Sequence, residues 1–189
     1  DNGDSFNRYS EVPILDRKDS ELFARCGCFV RHEPQGSKDA FKMWYVGSVG
    51  EGWVANIDQK KLPLYQMKYI NSADGIDWNE NRSKKCMEFA NEDEHGFGRP
   101  YVFKEQNIYK MYYSIRTYSR GYYIGYAESN DGVRWNRKDN LCNITTSKSG
   151  WDSKNISYPT LFKNDQKTYM FYNGNGCGQS GFGYAELVD

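Results

Sequence analysis

The feature that most constrains this chain is an internal repeat. The phrase Phe41-Lys42-Met43-Trp44-Tyr45-Val46 returns with small changes at 109–114 and 168–173, so that Met43, Met111 and Met170 lie 68 and 59 residues apart. A second phrase containing Asp-Gly and Trp follows at 69–78 and 126–135, and a truncated copy follows at 183–186. A repeat of this length predicts several copies of one supersecondary unit packed side by side.

Each unit is predicted to be a four-stranded antiparallel meander. Tyr122, Ile124 and Tyr126 alternate with smaller residues, which is typical of a strand with one bulky face. The pairs Asp74-Gly75 and Asp131-Gly132 stand between such a run and a Trp-containing run, and this predicts a tight hairpin between the third and fourth strands. Aromatic residues make up 16% of the chain, which also favours strands. We expect an all-β fold, a β-propeller of about three blades.

The repeat also predicts the organisation of the chain. One domain, 1–189, would contain blade segments at about 21–82, 99–139 and 156–189, with residues 1–15 as an outer fourth strand, because residues 2–8 resemble residues 131–137. Three blades are fewer than the usual four to eight. We therefore interpret the chain as part of a longer protein, or as one that self-associates to complete a ring.

Composition excludes several kinds of partner. The chain has 25 basic and 25 acidic residues, evenly scattered, which argues against nucleic-acid binding. No apolar run approaches the roughly 20 residues that span a bilayer, so we expect no membrane association. The five Cys fit neither a disulfide framework nor usual zinc spacing, and we expect free thiols, no metal, no cofactor and a cytoplasmic location.

Candidate functional residues concentrate on one rim of the predicted propeller. The starts of the first strands and the turns between second and third strands share this rim, whereas the Asp-Gly turns lie on the other. Long polar loops on a rigid scaffold are where binding residues concentrate. Three carboxyl groups there are candidate catalytic acids: Glu21, Glu94 and Asp152.

Two of these carboxyl groups, Asp152 and Glu94, also have a structural interpretation. Asp152 recurs in register with Asp19 and Asp93, which favours a turn-closing role. Glu94 and His95 break the repeat, and a Glu beside a His is either a general acid tuned by its neighbours or part of an exposed ion pair.

The same rim supplies candidate substrate-binding residues. Arg25 and Arg99 are predicted to stand where the third unit has Tyr158, with two guanidiniums aimed at the axis to bind a carboxylate, a phosphate or a polyhydroxyl ligand, or to tie blades together. Trp53 belongs to an insertion, Val49 to Leu64, that is a lid, a wall or a solvated loop. Aromatic rings among polar groups favour a carbohydrate. The full set is Arg25, Trp53, His95, Arg99, Arg116, Trp151, Tyr158 and Asn173.

The repeated phrases resemble those of the five-bladed β-propeller glycosidases, which include arabinanases, β-xylosidases, invertases, levansucrases and mannoside phosphorylases. The resemblance rests on Arg99-Pro100-Tyr101-Val102-Phe103, on Ile124-Gly125-Tyr126-Ala127-Glu128-Ser129 with Asp131-Gly132, and on Tyr169-Met170-Phe171-Tyr172-Asn173-Gly174. It covers nearly the whole chain and is closest to an uncharacterised bacterial branch.

This resemblance implies a glycoside-hydrolase-like protein that binds and cleaves a carbohydrate such as a bacterial polysaccharide. It also implies carboxylates at the starts of innermost strands, often an Asp directly before Pro. Here Arg99 precedes Pro100 and Tyr158 precedes Pro159, so that signature is missing. The alternatives are a non-catalytic glycan-binding propeller and a structural or interaction module.

Overall fold

Three antiparallel meanders form the fold. A computed structural model describes residues 5–16, 26–33, 40–55 and 61–188. The first meander contains β1 (Cys26–His32), β2 (Phe41–Ala55), β3 (Lys61–Ser72) and β4 (Lys84–Lys85). The second contains β5 (Glu94–Glu105), β6 (Ile108–Thr117), β7 (Gly121–Ser129) and β8 (Asn136–Arg137). The third contains β9 (Ser157–Lys163), β10 (Thr168–Asn173) and β11 (Phe182–Glu186).

Helical structure is confined to short turns in the described residues. These are two 3₁₀ turns, Glu80–Arg82 and Asp139–Leu141, and a four-residue turn, Asn175–Gly178, whose central residues Gly176 and Cys177 have left-handed backbone angles. The first two meanders join through one parallel pairing, between Tyr65 of β3 and Gly96 of β5. The chain is therefore an all-β, propeller-like structure, as the sequence predicts.

The meanders pack face against face through aromatic and sulfur-containing side chains. Trp44 is fully buried, lies edge-on to Trp135 at 6.2 Å, and donates its indole N–H to the carbonyl of Gly132 at 2.6 Å. Between the second and third meanders, Ile124 packs with Ile156 and Tyr172. Both interfaces remove large apolar surfaces from water, which holds the units side by side.

The Asp-Gly phrases form longer turns than the sequence predicts. In the second meander Asp131 Oδ1 accepts hydrogen bonds from the N–H groups of Val133 and Arg134, and the Trp135 indole donates to Gly132 O. The first meander repeats this network around Asp74. The fourth strands begin only at Asn136 and Lys84, so the prediction of tight hairpins is wrong. The Asp side chain and the Trp indole stabilise a wider loop in place of a two-residue turn.

The predicted outer strand at the N-terminus is also absent from the described residues. Residues 5–16 form no strand, and residues 1–4 lie outside the described part of the chain. Leu15 instead packs against Met43, Tyr45, Ile70 and Trp78 of the first meander. This apolar contact fixes Leu15 on the first meander.

One face of the third meander is exposed and aromatic. Phe171 and Tyr184 are paired neighbours on this face, and Phe162 and Phe182 extend it on β9 and β11. Phe171 occupies the repeat position of Trp44 and of Tyr112. Trp44 packs on the second meander and Tyr112 on the third, so the corresponding face is covered in both earlier units.

Candidate functional site

A β-bulge interrupts the first strand of every meander at the same place. Residues 27–28, 99–100 and 158–159 each lie opposite a single tyrosine of the second strand, namely Tyr45, Tyr113 and Tyr172. These three tyrosines are buried. A bulge re-aims the side chain of its extra residue, and bulges are common next to functional sites.

Two bulge residues adopt a backbone conformation that side chains usually avoid. Arg99 has φ 34° and Tyr158 has φ 59°. Such angles cost a non-glycine residue about 1 kcal/mol or more. The Tyr158 N–H donates to the Ser114 hydroxyl of the neighbouring meander at 2.8 Å, which ties the bulge to that meander.

The pairing register corrects the predicted equivalence of Arg25 and Arg99. Because Cys26 pairs with Val46 as Gly98 pairs with Ser114, Gly27 holds the bulge position that Arg99 holds in the second meander. The sequence alignment of Arg25 with Arg99 is therefore displaced by two positions from the strand pairing. Arg25 itself, with the candidate acid Glu21 and with Asp19, lies outside the described residues.

Two arginines and three tyrosines form a chain of contacts along the rim beside these bulges. The Arg99 guanidinium lies 5.1 Å from the centre of the Tyr158 ring, and the Tyr158 and Tyr122 rings meet edge to face at 5.7 Å. The Arg116 guanidinium lies 5.3 Å from the ring centres of both Tyr122 and Tyr65. We call this set the arginine–tyrosine row: Tyr65, Arg116, Tyr122, Tyr158 and Arg99.

Strand register and a glycine produce the row. Arg116 of β6 pairs with Tyr122 of β7 on one side and with Gly96 of β5 on the other. A Cβ at Gly96 would lie 3.2 Å from Arg116 Cδ, so glycine leaves space for the arginine stem. Burial raises the pKa of Tyr122 and of Tyr65, and both phenols are neutral at physiological pH.

Glu94 belongs to a buried ion-pair cluster. Its carboxylate accepts two hydrogen bonds from Arg137, at 2.6 and 2.7 Å, one from the Tyr123 hydroxyl at 2.8 Å and one from the Ala90 N–H at 2.9 Å. Burial alone would raise the pKa of Glu94, but Arg137 and the other donors hold it below its usual value. The carboxylate is therefore ionised at neutral pH, in an ion pair that is buried rather than exposed.

His95 is also buried, beside the arm formed by β2 and β3. Its ring stacks on Tyr118 at 4.7 Å, and its Nδ1 lies 3.2 Å from the carbonyl oxygen of Pro63. Burial lowers the pKa of His95, which is neutral at pH 7. Trp53 pairs with Pro63 across the arm and is 42% exposed. The predicted insertion is thus largely an extended pair of strands, of which residues 56–60 lie outside the described part.

The remaining candidates lie together on the third meander. The Tyr172 hydroxyl donates to the buried carboxylate of Asp152 at 2.9 Å, and the Trp151 ring stacks on Tyr172 at 5.3 Å. A Cβ at Gly183 would lie 2.7 Å from Trp151, so the indole packs directly on the strand. Asn173 donates to the Cys177 carbonyl. These contacts hold Trp151 in place with about a third of its surface exposed.

The two other predicted turn-closing carboxylates make different contacts instead. Asp93 accepts hydrogen bonds from the N–H and the hydroxyl of Ser119, 26 residues further along the chain, so it connects two loops and does not close a turn on nearby N–H groups. Asp152 binds a tyrosine hydroxyl in place of a backbone N–H.

The structure therefore brings together three of the predicted binding residues, Arg99, Arg116 and Tyr158. Sequence reasoning missed Tyr65, Tyr122 and the partner of Glu94, Arg137. Tyr122 stood in a recognised alternating run, but the repeat gave no sign that Arg116 would lie between two rings.

Neither a metal site nor a membrane-spanning helix occurs in the described part of the chain. Its His, Cys, Asp and Glu side chains form no group of three or more arranged to hold a metal ion. None of its helices has the length and apolarity needed to cross a bilayer.

Sequence comparison finds uncharacterised relatives. No protein-family model matches the chain. The uncharacterized protein Rv1502 of Mycobacterium tuberculosis is 29% identical over 185 residues, which cover 98% of this chain and 58% of that protein. The chain therefore spans less than two thirds of the length of this curated relative.

Structural comparison identifies the class of fold. A thermostable family-43 glycoside hydrolase matches with a TM-score of 0.70 at 16% identity, over 94% of this chain and 57% of that one. Zg3597, a family 117 glycoside hydrolase from Zobellia galactanivorans, matches with a TM-score of 0.65 at 13% identity, over 91% and 54%. An endo-arabinase from Bacteroides thetaiotaomicron matches with a TM-score of 0.58 at 11% identity, over 87% and 56%. The chain therefore shares its fold with these glycoside hydrolases.

Proposed function

We propose that this chain forms part of a β-propeller that binds a carbohydrate on the rim carrying the arginine–tyrosine row. The observation that supports it most directly is the pair of bulges that bring Arg99 and Tyr158 to the same rim as Arg116. Fold alone does not specify an activity, so the proposal depends on this set of side chains.

The chemistry of the row suits a sugar. Aromatic rings offer flat apolar surfaces to the C–H faces of a pyranose or furanose ring, and guanidinium groups donate to its oxygens in a fixed fork. Tyr158 is half-buried and Arg99 is exposed, so both are accessible from solvent while their backbone is held by the bulges. Trp53 and Trp151 are proposed to extend the aromatic surface along the rim.

Variants on the two rims would test carbohydrate binding. Arg116→Ala and Tyr158→Ala are expected to weaken glycan binding by the intact protein, whereas Arg134→Ala is not. Arg134 is an exposed arginine in the turn beside Gly132, on the opposite rim, and is a matched control. A glycan array followed by titration calorimetry would measure the effect. Absence of binding to any glycan, or equal losses in all three variants, would overturn the proposal.

Cleavage of the bound sugar is a separate part of the proposal. Glycosidases place two carboxyl groups roughly 5 to 9.5 Å apart across the scissile bond. Glu94 and Asp152 are already engaged by Arg137 and Tyr172. We therefore assign the described rim to binding and propose that any acid supplied by this chain is Glu21.

Turnover measurements would separate an enzyme from a non-catalytic glycan-binding protein. The intact protein would be screened against aryl glycosides and polysaccharides, with Glu21→Gln beside Glu94→Gln and Asp152→Asn. Loss of turnover in Glu21→Gln, with binding retained, supports the assignment. Binding without turnover in every protein supports the non-catalytic alternative, which the missing Asp-Pro signature favours.

The exposed face of the third meander supports a fuller propeller. We propose that a further meander of the longer polypeptide covers Phe171, Phe182 and Tyr184, because the next meander covers the equivalent face of each earlier unit. A second copy of this chain is disfavoured, since Leu15 already packs on the opposite face of the first meander.

Length variants would test this arrangement. The 189-residue chain is expected to bind a hydrophobic dye on this face, and the longer polypeptide is expected to bind less while remaining monomeric. Tyr184→Lys should reduce dye binding only in the short chain. A stable dimer of the short chain with this face protected would show instead that self-association completes the ring.

A further inference from the structure

We propose that the carbohydrate held by the arginine–tyrosine row carries an oxyanion, either the carboxylate of a uronic acid or a sulfate ester, and that Arg116 and Arg99 bind this group. The inference rests on the proposed function and specifies its ligand class. Two observations support the inference: tyrosine rings hold both guanidinium groups, and neither guanidinium forms an ion pair with a described carboxylate.

Tyrosine rings flank Arg116. Tyr65 and Tyr122 each place a ring centre 5.3 Å from its guanidinium carbon. A guanidinium held near aromatic rings by cation–π attraction does not use its N–H groups for that contact, so they remain able to donate in the guanidinium plane. In-plane donation is the geometry that a carboxylate or sulfate accepts as a fork.

Arg99 is held in a similar way and is more exposed. Its guanidinium lies over the Tyr158 ring at 5.1 Å, and its backbone is fixed in the left-handed region by the bulge. The Tyr158 and Tyr122 rings, in edge-to-face contact, lie between Arg99 and Arg116. A sugar resting on this aromatic pair would have a cation on either side.

Neither arginine forms an ion pair with a carboxylate among the described residues. Arg31 and Arg137, in contrast, bind Glu33 and Glu94 at 2.8 and 2.6 Å. The acidic groups at the start of β5 are already engaged, since Asp93 binds Ser119 and Glu94 binds Arg137. The row therefore carries two positive charges that no described carboxylate neutralises.

Tyr65 and Tyr122 add no negative charge to the row. Burial raises the pKa of Tyr122 and Tyr65, so their hydroxyls remain protonated at neutral pH. An electropositive aromatic surface discriminates for an acidic sugar over its neutral counterpart, because the guanidinium–oxyanion contact is charge-assisted.

Matched ligands would test the inference. Tetragalacturonic acid and its methyl ester differ in charge on one backbone, and a sulfated galactan tetrasaccharide and its desulfated form provide the second pair. Calorimetric titration of the intact protein at low and high salt would measure each affinity. We expect the acidic member of one pair to bind at least about tenfold more tightly, with a preference that falls as salt rises.

Variants would assign the preference to the row. Arg116→Ala and Arg99→Ala are expected to reduce the acidic-over-neutral ratio to below about threefold, while Arg116→Lys retains part of it as a point charge without the fork. Arg134→Ala should leave the ratio unchanged. Thermal melts would confirm that each variant is folded.

The outcomes separate this inference from the function on which it rests. Preference for galacturonate assigns a uronic acid, and preference for the sulfated oligosaccharide assigns a sulfate ester. Equal binding of charged and neutral members overturns the inference and leaves carbohydrate binding standing. Failure of every glycan to bind overturns both.

Discussion

Removing one member of the Glu94 cluster should show that this group stabilises the fold. The Glu94 side chain is 1% exposed and that of Arg137 is 13% exposed, so neither charge is solvated by water after its partner is lost. Breaking a buried ion pair by removing one partner costs about 3 to 5 kcal/mol. The expected magnitude depends on which partner is replaced.

Arg137 has a second carboxylate partner, and this makes the cost asymmetric. Its guanidinium also contacts Asp139, with Nη2 to Oδ2 at 2.7 Å. In Glu94→Gln, Arg137 keeps Asp139, and we expect a loss of about 3 kcal/mol. In Arg137→Met, two carboxylates lose their cation together, and we expect a loss of about 5 kcal/mol.

Urea unfolding of the two variants would measure these losses. In a parallel thermal melt, the melting temperature of a chain of this length should fall by roughly 2 to 4 °C for each kcal/mol of unfolding free energy that is lost. Glu88→Gln is the matched control, because Glu88 forms an exposed ion pair with Lys85 and should change stability by less than about 1 kcal/mol. The reasoning is refuted if Glu94→Gln unfolds at the wild-type urea concentration, or if Arg137→Met is the milder substitution.

Three further predictions follow from single sites. Partial burial would raise the pKa of Glu33, but hydrogen bonds from Tyr109 and Arg31 and the charge of Lys42 lower it to about 2. The stability that ionised Glu33 contributes should be complete above its ordinary pKa of 4.5 and lost as pH falls toward 2. The difference in urea midpoint between wild type and Glu33→Gln should therefore shrink over that interval, and a constant difference would contradict this. Gly132 has φ +76°, and a Cβ there would lie 3.2 Å from Trp44, whereas Gly150 has φ +98° and no atom within 4 Å of an added Cβ. Gly132→Ala should therefore lower the melting temperature more than Gly150→Ala, and equal shifts would argue against the Trp44 contact. Cys86 is buried, which raises the pKa of its thiol, while Cys26 and Cys177 are exposed. Cys86→Ser should leave the fast phase of labelling by a thiol reagent unchanged. A smaller fast phase would show that Cys86 is accessible in the native state.

The all-β fold was predictable from the sequence because the repeated phrases are rich in aromatic residues, which favour strands. Met43, Met111 and Tyr113, which belong to the repeated phrase, are all buried. Sequence reasoning was less successful where a side chain changes the course of the backbone. Asp74 and Asp131 signalled turns, but the extra hydrogen bonds from Trp78 and Trp135 make those turns longer than a hairpin.

The candidate site was predictable only in part, for a similar reason. Arg99 and Tyr158 were recognisable because they share a register before Pro. The two-residue offset that moves Arg25 out of that register is defined by the pairing of β1 with β2, which no local sequence specifies. Tyr65 reaches Arg116 through the contact between two meanders, although the two residues are 51 positions apart along the chain.

The residue opposite each bulge is always a tyrosine, whereas the bulge residue itself differs from one meander to the next. Tyr45, Tyr113 and Tyr172 keep one identity while the residues above them are Gly27, Arg99 and Tyr158. The meanders therefore differ in chemistry at the bulge residue and share the buried tyrosine that supports it. An engineer seeking a new ligand preference would diversify those three points and leave the three supporting tyrosines unchanged.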